Sequence, residues 1–215
     1  MIYSPNMLKT FEECPQKFFL KYIEHVSLPQ RSTIFEKGKK IHALANYYLN
    51  GEIIEKMEKI LTVDEKLAWE ALKSSEYFKL NVFNTEYNLS CKVDKYWIGG
   101  RLDALMHQEK DYYILDYKTG QLPQNAEQDF QTIVYLLASD KFLQKKGGYN
   151  SLKFIYLGLK ESKEKEIILT SELKKQYEEK IIETCKKIDL AAFPKAFAQK
   201  KERCQKCEYL KFCNQ

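Results

Sequence analysis

Leu8, Phe11, Phe18, Phe19 and Tyr22 recur at roughly helical spacing behind Ser4-Pro5, an N-cap residue followed by proline at the first helical position. The spacing predicts a helix or helix pair reaching about Glu24. The same period predicts a second helix over 34–50, closed by Gly51, and a third over 63–74. The character then changes. Segments 84–91, 92–98, 101–107 and 112–118 are short runs rich in β-branched and aromatic residues, with Gly99-Gly100 and residues 108–111 reading as turns. A helix is predicted over 126–145, strands over 152–159 and 166–169, and a last long helix over 171–188. The charged run 161–166 reads as a solvated hairpin turn. Helices, antiparallel strands, a helix, a strand pair and a final helix make an α/β fold with a mixed central sheet.

At 215 residues the chain is long enough for one substantial core. It reads as a single domain, with a helical region over 1–80, a sheet core over 81–170 and a C-terminal helix and cysteine segment over 171–215. No internal repeat, low-complexity tract or Ser/Pro-rich linker divides it. The formal net charge is +5, which is compatible with a polyanionic partner without requiring one. The N-terminus lacks a basic stretch followed by an apolar run, and no apolar stretch approaches the roughly 18 residues of a membrane helix. A cytoplasmic location without membrane contact is therefore expected. Thiols stay reduced there, so six cysteines favour metal or cluster ligation over disulfides.

Cys204, Cys207 and Cys213 read C-x-x-C-x-x-x-x-x-C, a spacing that lets one metal or cluster gather three thiolates from a short segment. The fourth thiolate is not local. If Cys14 supplies it, the first helix is tied to the last segment and everything between becomes one closed loop. A tetrahedral Cys₄ zinc site is the alternative to a cluster. Cys91 and Cys185 have no partner spacing and read as small buried hydrophobes.

Candidate chemistry lies on the segment 112–118. Alternation puts Ile114, Asp116 and Lys118 on one face of a strand, with Tyr113, Leu115 and Tyr117 on the other. The preceding strand supplies Asp103, placed to pair laterally with it. Two carboxylates from adjacent strands can hold magnesium or manganese, and the lysine can stabilise charge developing on a phosphate. By itself D-x-K on a strand suits a surface ion pair on a hairpin equally well.

The wider pattern discriminates. Gly100-Arg101-Leu102-Asp103 precedes Asp116-Tyr117-Lys118-Thr119-Gly120, Gly38-Lys39-Lys40-Ile41-His42 lies on an upstream helix, and Gln131-Thr132-Ile133-Val134-Tyr135 lies on the next. Together these resemble the PD-(D/E)XK nuclease superfamily in its RecB-like branch. Cys14-Pro15 and the terminal cysteine triplet resemble the iron–sulfur subgroup of that branch, which includes the AddB nuclease domain and the CRISPR-associated adaptation exonucleases. The resemblance runs from Ser4 to Cys213 in the expected order. It implies that His42, Asp103, Asp116 and the carbonyl of Tyr117 are metal ligands and that Lys118 is the catalytic lysine. It also implies that Gln131 and Tyr135 face DNA and the active site. Glu86 matches an acidic residue that some relatives carry on the first strand, and Gly38 would relieve crowding beside the metal. Cys14, Cys204, Cys207 and Cys213 match the ligands of a [4Fe–4S] cluster, for which Cys₄ ligation is usual.

The expected function is metal-dependent hydrolysis of DNA phosphodiesters, on single strands or ends, in repair, recombination or CRISPR adaptation. Exonuclease action is favoured over endonuclease action. The chain has no G-x-x-x-x-G-K-[ST] loop, so unwinding would fall to a helicase partner. An alternative is a nuclease fold without turnover that binds DNA or scaffolds a helicase–nuclease complex. A third reading is a zinc-stabilised interaction protein whose Asp and Lys are surface charges. Lys200, Lys201 and Arg203 could meet phosphates or be plain surface charge.

Overall fold

The computed structural model describes residues 1–28, 33–191 and 202–213, with the side chains of 33–37 and 202–203 left aside. Its centre is a mixed sheet built from β1 (Ile2–Tyr3), β2 (Asn81–Val93), β3 (Tyr96–Gln108), β4 (Asp111–Lys118), β5 (Ser151–Gly158) and β6 (Lys163–Ile168). The order along it is β1-β3-β4-β5-β6, with β2 on the other edge of β3. β1–β3 and β4–β5 are parallel; the remaining pairs are antiparallel.

Helices cover both faces. On one, α1 (Pro5–Glu13), α2 (Pro15–Phe18), α6 (Phe130–Lys145) and α7 (Ser171–Leu190) bury Leu8, Phe18, Ile133, Val134, Leu137, Tyr177 and Ile181 against Ile98, Leu102, Ile114 and Phe154. On the other, α3 (Thr33–Leu49) and α5 (Val63–Ser74) bury Ile41, Leu44, Trp69 and Leu72 against Ala104, Met106, Leu115 and Tyr117. Short α4 (Glu55–Lys59) links them, and α8 (Leu210–Cys213) ends the described chain.

Most predicted helices form where the sequence places them. Ser4 caps α1 through its side chain with Pro5 in the first turn, and Thr62 and Glu65 close a reciprocal capping box at α5. Gly51, at φ +75°, follows α3 in the left-handed conformation expected of a helix-ending glycine. The first helix breaks in two at Cys14, whose extended backbone (φ −161°, ψ 104°) caps α2 ahead of Pro15. α6 starts four residues later than expected, because the Asp129 carboxylate accepts the N–H of Gln131 at 2.9 Å and so fixes the cap there.

Two turn assignments are corrected. Gly99-Gly100 is not a turn: β3 runs straight through it, and the hairpin closes instead at Asp94-Lys95, with Asp94 at φ 52°. A Cβ on Gly99 would lie 2.5 Å from the carbonyl oxygen of Leu89, and one on Gly100 would lie 2.8 Å from Cε1 of Tyr135. These glycines serve close approach inside a strand, the other meaning of glycine in a β pattern. The run 161–166 is likewise only partly turn. Its last four residues join β6, with Lys163 opposite Gly158 and Glu166 opposite Ile155. The N-terminal region is also not purely helical, since Ile2 and Tyr3 pair with Trp97 and Ile98.

Candidate active site

β3 and β4 are paired from Gln108–Asp111 up to Ala104–Leu115, where the ladder stops. In the fork beyond, the Asp103 side chain replaces the missing backbone partner: its Oδ2 accepts the N–H of Tyr117 at 2.9 Å. Its Oδ1 lies 3.0 Å from Nδ1 of His42, on α3, and Nε2 of the same ring lies 3.0 Å from the carbonyl oxygen of Tyr117. A carboxylate and a carbonyl both accept, so the imidazole makes both bonds as donor only when doubly protonated. Burial, the largest influence on His42, pulls its pKa down. The hydrogen bond and charge of Asp103, helped by Asp116, outweigh it, and the net shift is upward. Two of the expected ligands thus converge on the imidazole of a third.

Asp116 is the next residue inward and is 3% exposed. Its Oδ2 lies 2.7 Å from Nζ of Lys118, and its Oδ1 accepts from the Gln131 amide. Lys118 in turn donates to Oε1 of Gln131 at 2.8 Å, closing a triangle between β4 and α6. Burial, then the charge of Asp103, raises the Asp116 pKa from 3.8 to about 7, against the opposing pull of Lys118 and His42. The donors gathered here are carboxylate, carbonyl and imidazole. That donor set fits a hard divalent cation such as magnesium or manganese.

Glu86 stands opposite Asp103 on β2 at φ 45°, a left-handed conformation that costs about 1–3 kcal/mol for a non-glycine residue. It aims its carboxylate at the fork. His42, Glu86 and Asp103 are, among the described residues, the one set of three donor side chains whose ligand atoms lie within 4.8 Å of one another. Arg101 Nε pairs with Glu86 Oε2 at 2.8 Å.

Tyr135 lies one turn beyond Gln131 on α6, but it is buried. Its hydroxyl donates to the carbonyl of Arg101 at 2.8 Å, on the stretch of β3 left bare between the ends of β1 and β4. It holds β3 in place, within reach of the Gln131 amide and of the charges of Asp116 and Asp103. A Cβ on Gly38 would meet Oγ1 of Thr119 at 3.3 Å, so that glycine admits the segment after β4. Asp129, which sets Gln131 by capping α6, was missed from sequence, although an aspartate before an apolar helix is a readable cap signal.

At the other end of the molecule, Cys14 sits at the α1–α2 break with its Sγ accepting the N–H of Lys17 at 3.4 Å. Burial and then the neighbouring Cys207, Cys14 and Cys204 push the Cys213 thiol up, so all four cysteines stand within electrostatic reach of one another. Among the described residues no three of these sulfurs lie within 4.8 Å of one another. A tetrahedral zinc site with Zn–S bonds of about 2.3 Å would bring them to about 3.8 Å. Lys17 and Glu208 form an ion pair at 3.3 Å across the same junction. Cys91 and Cys185 are buried in the core, and burial raises their thiol pKa values to about 11 and about 12. Lys200, Lys201 and the Arg203 side chain lie outside the described residues. No helix among the described residues is long and apolar enough to cross a membrane.

A fork in a mixed sheet that gathers a helix histidine, two strand carboxylates and a strand lysine is the arrangement of a nuclease core. The profile of the PD-(D/E)XK nuclease superfamily matches residues 2–214, and the chain belongs to that superfamily. Over 128 residues it is 28% identical to the CRISPR-associated exonuclease Cas4 of Francisella tularensis subsp. novicida (strain U112). That match takes in 60% of this chain and 62% of that protein's length. The fold is also similar to the solved structure of a candidate exonuclease from Eubacterium rectale, with a TM-score of 0.59 over 95% of this chain and 87% of the other. At 9% identity that likeness is one of fold alone.

Proposed function

We propose that this chain is a magnesium- or manganese-dependent deoxyribonuclease acting on single-stranded DNA or DNA ends. The observation that carries the reading is the His42 imidazole bound at once to Asp103 and the Tyr117 carbonyl, with Asp116 and Lys118 adjacent. His42, Asp103, Asp116 and the Tyr117 carbonyl would hold the cation, with Glu86 close enough to join them. When bound, a divalent cation polarises a phosphoryl oxygen and lowers the pKa of water.

The chain's own groups do the rest. Asp103 is locked by the Tyr117 N–H, so its free lone pairs are aimed before any ligand arrives. Gln131 holds Lys118 on one side and Asp116 on the other. The ammonium is thus fixed where charge develops on the scissile phosphate and can orient the attacking water. Tyr135 acts at one remove, by keeping β3 and with it Asp103 in register.

Cys14, Cys204, Cys207 and Cys213, within electrostatic reach of one another, would hold a [4Fe–4S] cluster, with a single zinc ion as the alternative, in a structural role that docks the C-terminal segment on α1 and α2. The named Francisella relative is an exonuclease associated with CRISPR, which favours end-wise cleavage and work beside an adaptation or helicase partner. The test is manganese-dependent hydrolysis of single-stranded DNA by the parent, Asp116→Asn and Lys118→Ala. Each variant should lose roughly 100- to 1,000-fold, the scale for removing one electrostatic stabiliser. Full activity in Asp116→Asn, free of contaminating nuclease, would overturn this active site.

A further inference from the structure

The β2–β3 hairpin has two unlike faces. Leu89, Cys91 and Val93 of β2, and Tyr96, Ile98 and Leu102 of β3, point into the core beneath α6 and α7. Alternation therefore sends Asn88, Ser90 and Lys92 of β2, and Trp97, Gly99 and Arg101 of β3, to the opposite face. All but the tightly packed Gly99 are exposed there. Following the same alternation, this face continues into Glu86 and Asp103, which stand across from each other in the catalytic fork. The strip runs six residue steps from Trp97 to Asp103, about 20 Å at about 3.3 Å per step.

Its composition is specific. Trp97 is 47% exposed, whereas the only other tryptophan, Trp69, is 1% exposed. Its cross-strand partner on β1, Ile2, is itself 55% exposed, so the indole borders an open apolar edge of the sheet. Lys92 lies directly opposite Trp97 and makes no ion pair among the described residues, whereas nearby Lys95 is taken up by Asp189 at 3.0 Å. In the middle, Ser90 faces Gly99, and a Cβ on that glycine would lie 2.8 Å from Cβ of Ser90, so the floor is flat and low. Arg101 stands at the catalytic end, its Nε paired with Glu86 Oε2 at 2.8 Å and its side chain 64% exposed, so its terminal nitrogens are the ones open to a phosphate.

We propose that this strip is the approach track for a single-stranded segment of the substrate. An unpaired base stacks on Trp97 beside Lys92, the backbone crosses the Ser90–Gly99 floor, and Arg101 receives the phosphate next to the one being cut. An aromatic platform with interspersed cations is the chemistry that holds unpaired bases irrespective of sequence, and only an unpaired base offers its face to the indole. The proposal rests on the active-site reading above and assigns its substrate path.

The test uses the full chain with calcium in place of the catalytic metal. Because Trp69 is buried and out of reach of a stacking base, ligand-dependent quenching of tryptophan fluorescence reports Trp97. Oligothymidine long enough to span the strip should quench it, and in the anisotropy of a dye-labelled oligothymidine Trp97→Ala and Lys92→Glu should each weaken binding about 5- to 100-fold, with Trp97→Phe close to the parent. With manganese, cleavage of the same oligonucleotide should fall in parallel in Trp97→Ala. Hydrolysis of bis(p-nitrophenyl) phosphate, too short to reach the strip, should stay within about twofold of the parent, which also reports that the variant is folded. Oligonucleotide binding that Trp97→Ala and Lys92→Glu leave unchanged overturns the track. So does equal quenching by blunt duplex, or quenching that grows with protein concentration alone, which would make the face a self-association surface. A parent that quenches and binds but hydrolyses neither substrate sinks the nuclease reading and leaves the track standing.

Discussion

Cys14→Ser separates a cluster ligand from every other role of that residue. Serine is at least as good an N-cap as cysteine, so the Lys17 N–H that now meets Cys14 Sγ at 3.4 Å keeps an acceptor and α2 keeps its start. What disappears is one thiolate. The segment 202–213 has little else to hold it. Among its described side chains only Tyr209 is buried, and the Lys17–Glu208 pair is an exposed contact worth about 0–1 kcal/mol. Ordering a residue costs about 1–2 kcal/mol, so a dozen residues cannot stay docked on one tyrosine and one surface ion pair. On the proposed reading the crosslink supplies the difference.

Its global worth can be worked from the chain. Cys14 and Cys204 are 190 positions apart (204 − 14), and a crosslink closing that loop contributes about 5 kcal/mol in the chain-entropy treatment. If the cluster is released on unfolding, its whole binding free energy is lost instead, so about 5 kcal/mol is the smaller figure. For a chain of this size that corresponds to a fall in Tm of about 10–20 °C. Iron content, visible absorbance and the thermal midpoint are the readouts, together with hydrogen exchange of residues 202–213. Cys14→Ser should match Cys207→Ser in all of them. A Cys14→Ser protein that binds iron like the parent, keeps its C-terminal segment protected and melts at the parent temperature would show that the termini are not stapled through this residue.

Metal affinity should depend on pH, because loading requires an ionised Asp116 and an unprotonated His42 nitrogen. Manganese binding should weaken, by up to about tenfold per pH unit per proton released, as pH falls through about 7, and a flat profile there would refute it. The metal-free protein should move the other way. Asp116 titrates near 7 when folded against 3.8 when unfolded, so its ionisation above about 7 is destabilising and is relieved between about 7 and about 4; the raised His42 adds stability that is complete below its unfolded 6.5 and lost as pH rises through its folded value. Gly100→Ala should lower stability by about 1–3 kcal/mol by driving Tyr135 off the Arg101 carbonyl, and should lower cleavage as Asp103 loses its register; a melt indistinguishable from the parent would count against that packing. Gln131→Ala should cost activity while leaving the melt nearly unchanged, since it frees Lys118 and Asp116 without opening the core.

Local signals carried most of the helices and the order of the chemical groups. Ser4-Pro5, Thr62 with Glu65, and Gly51 each act within four residues of themselves, so their effect is visible in the string. The D-x-K strand was legible for the same reason, since alternation alone puts Asp116 and Lys118 on one face. The fork was not. That β3 and β4 part after Ala104–Leu115, leaving Asp103 to bond the Tyr117 N–H, depends on pairing between residues far apart in sequence. Gly99-Gly100 shows how such a contact misleads. Two glycines between β-rich runs are a turn by local rule, yet here their missing side chains admit Leu89 from β2 and Tyr135 from α6. The same long-range geometry recasts Tyr135. Its i,i+4 relation to Gln131 predicts a shared helix face, and the face is indeed shared, but β3 lies against it at that height, so one residue reaches the site and the other braces the strand. The candidate site residues are thus local in kind and non-local in placement: sequence names the groups, and the divergence of two strands decides which of them meet.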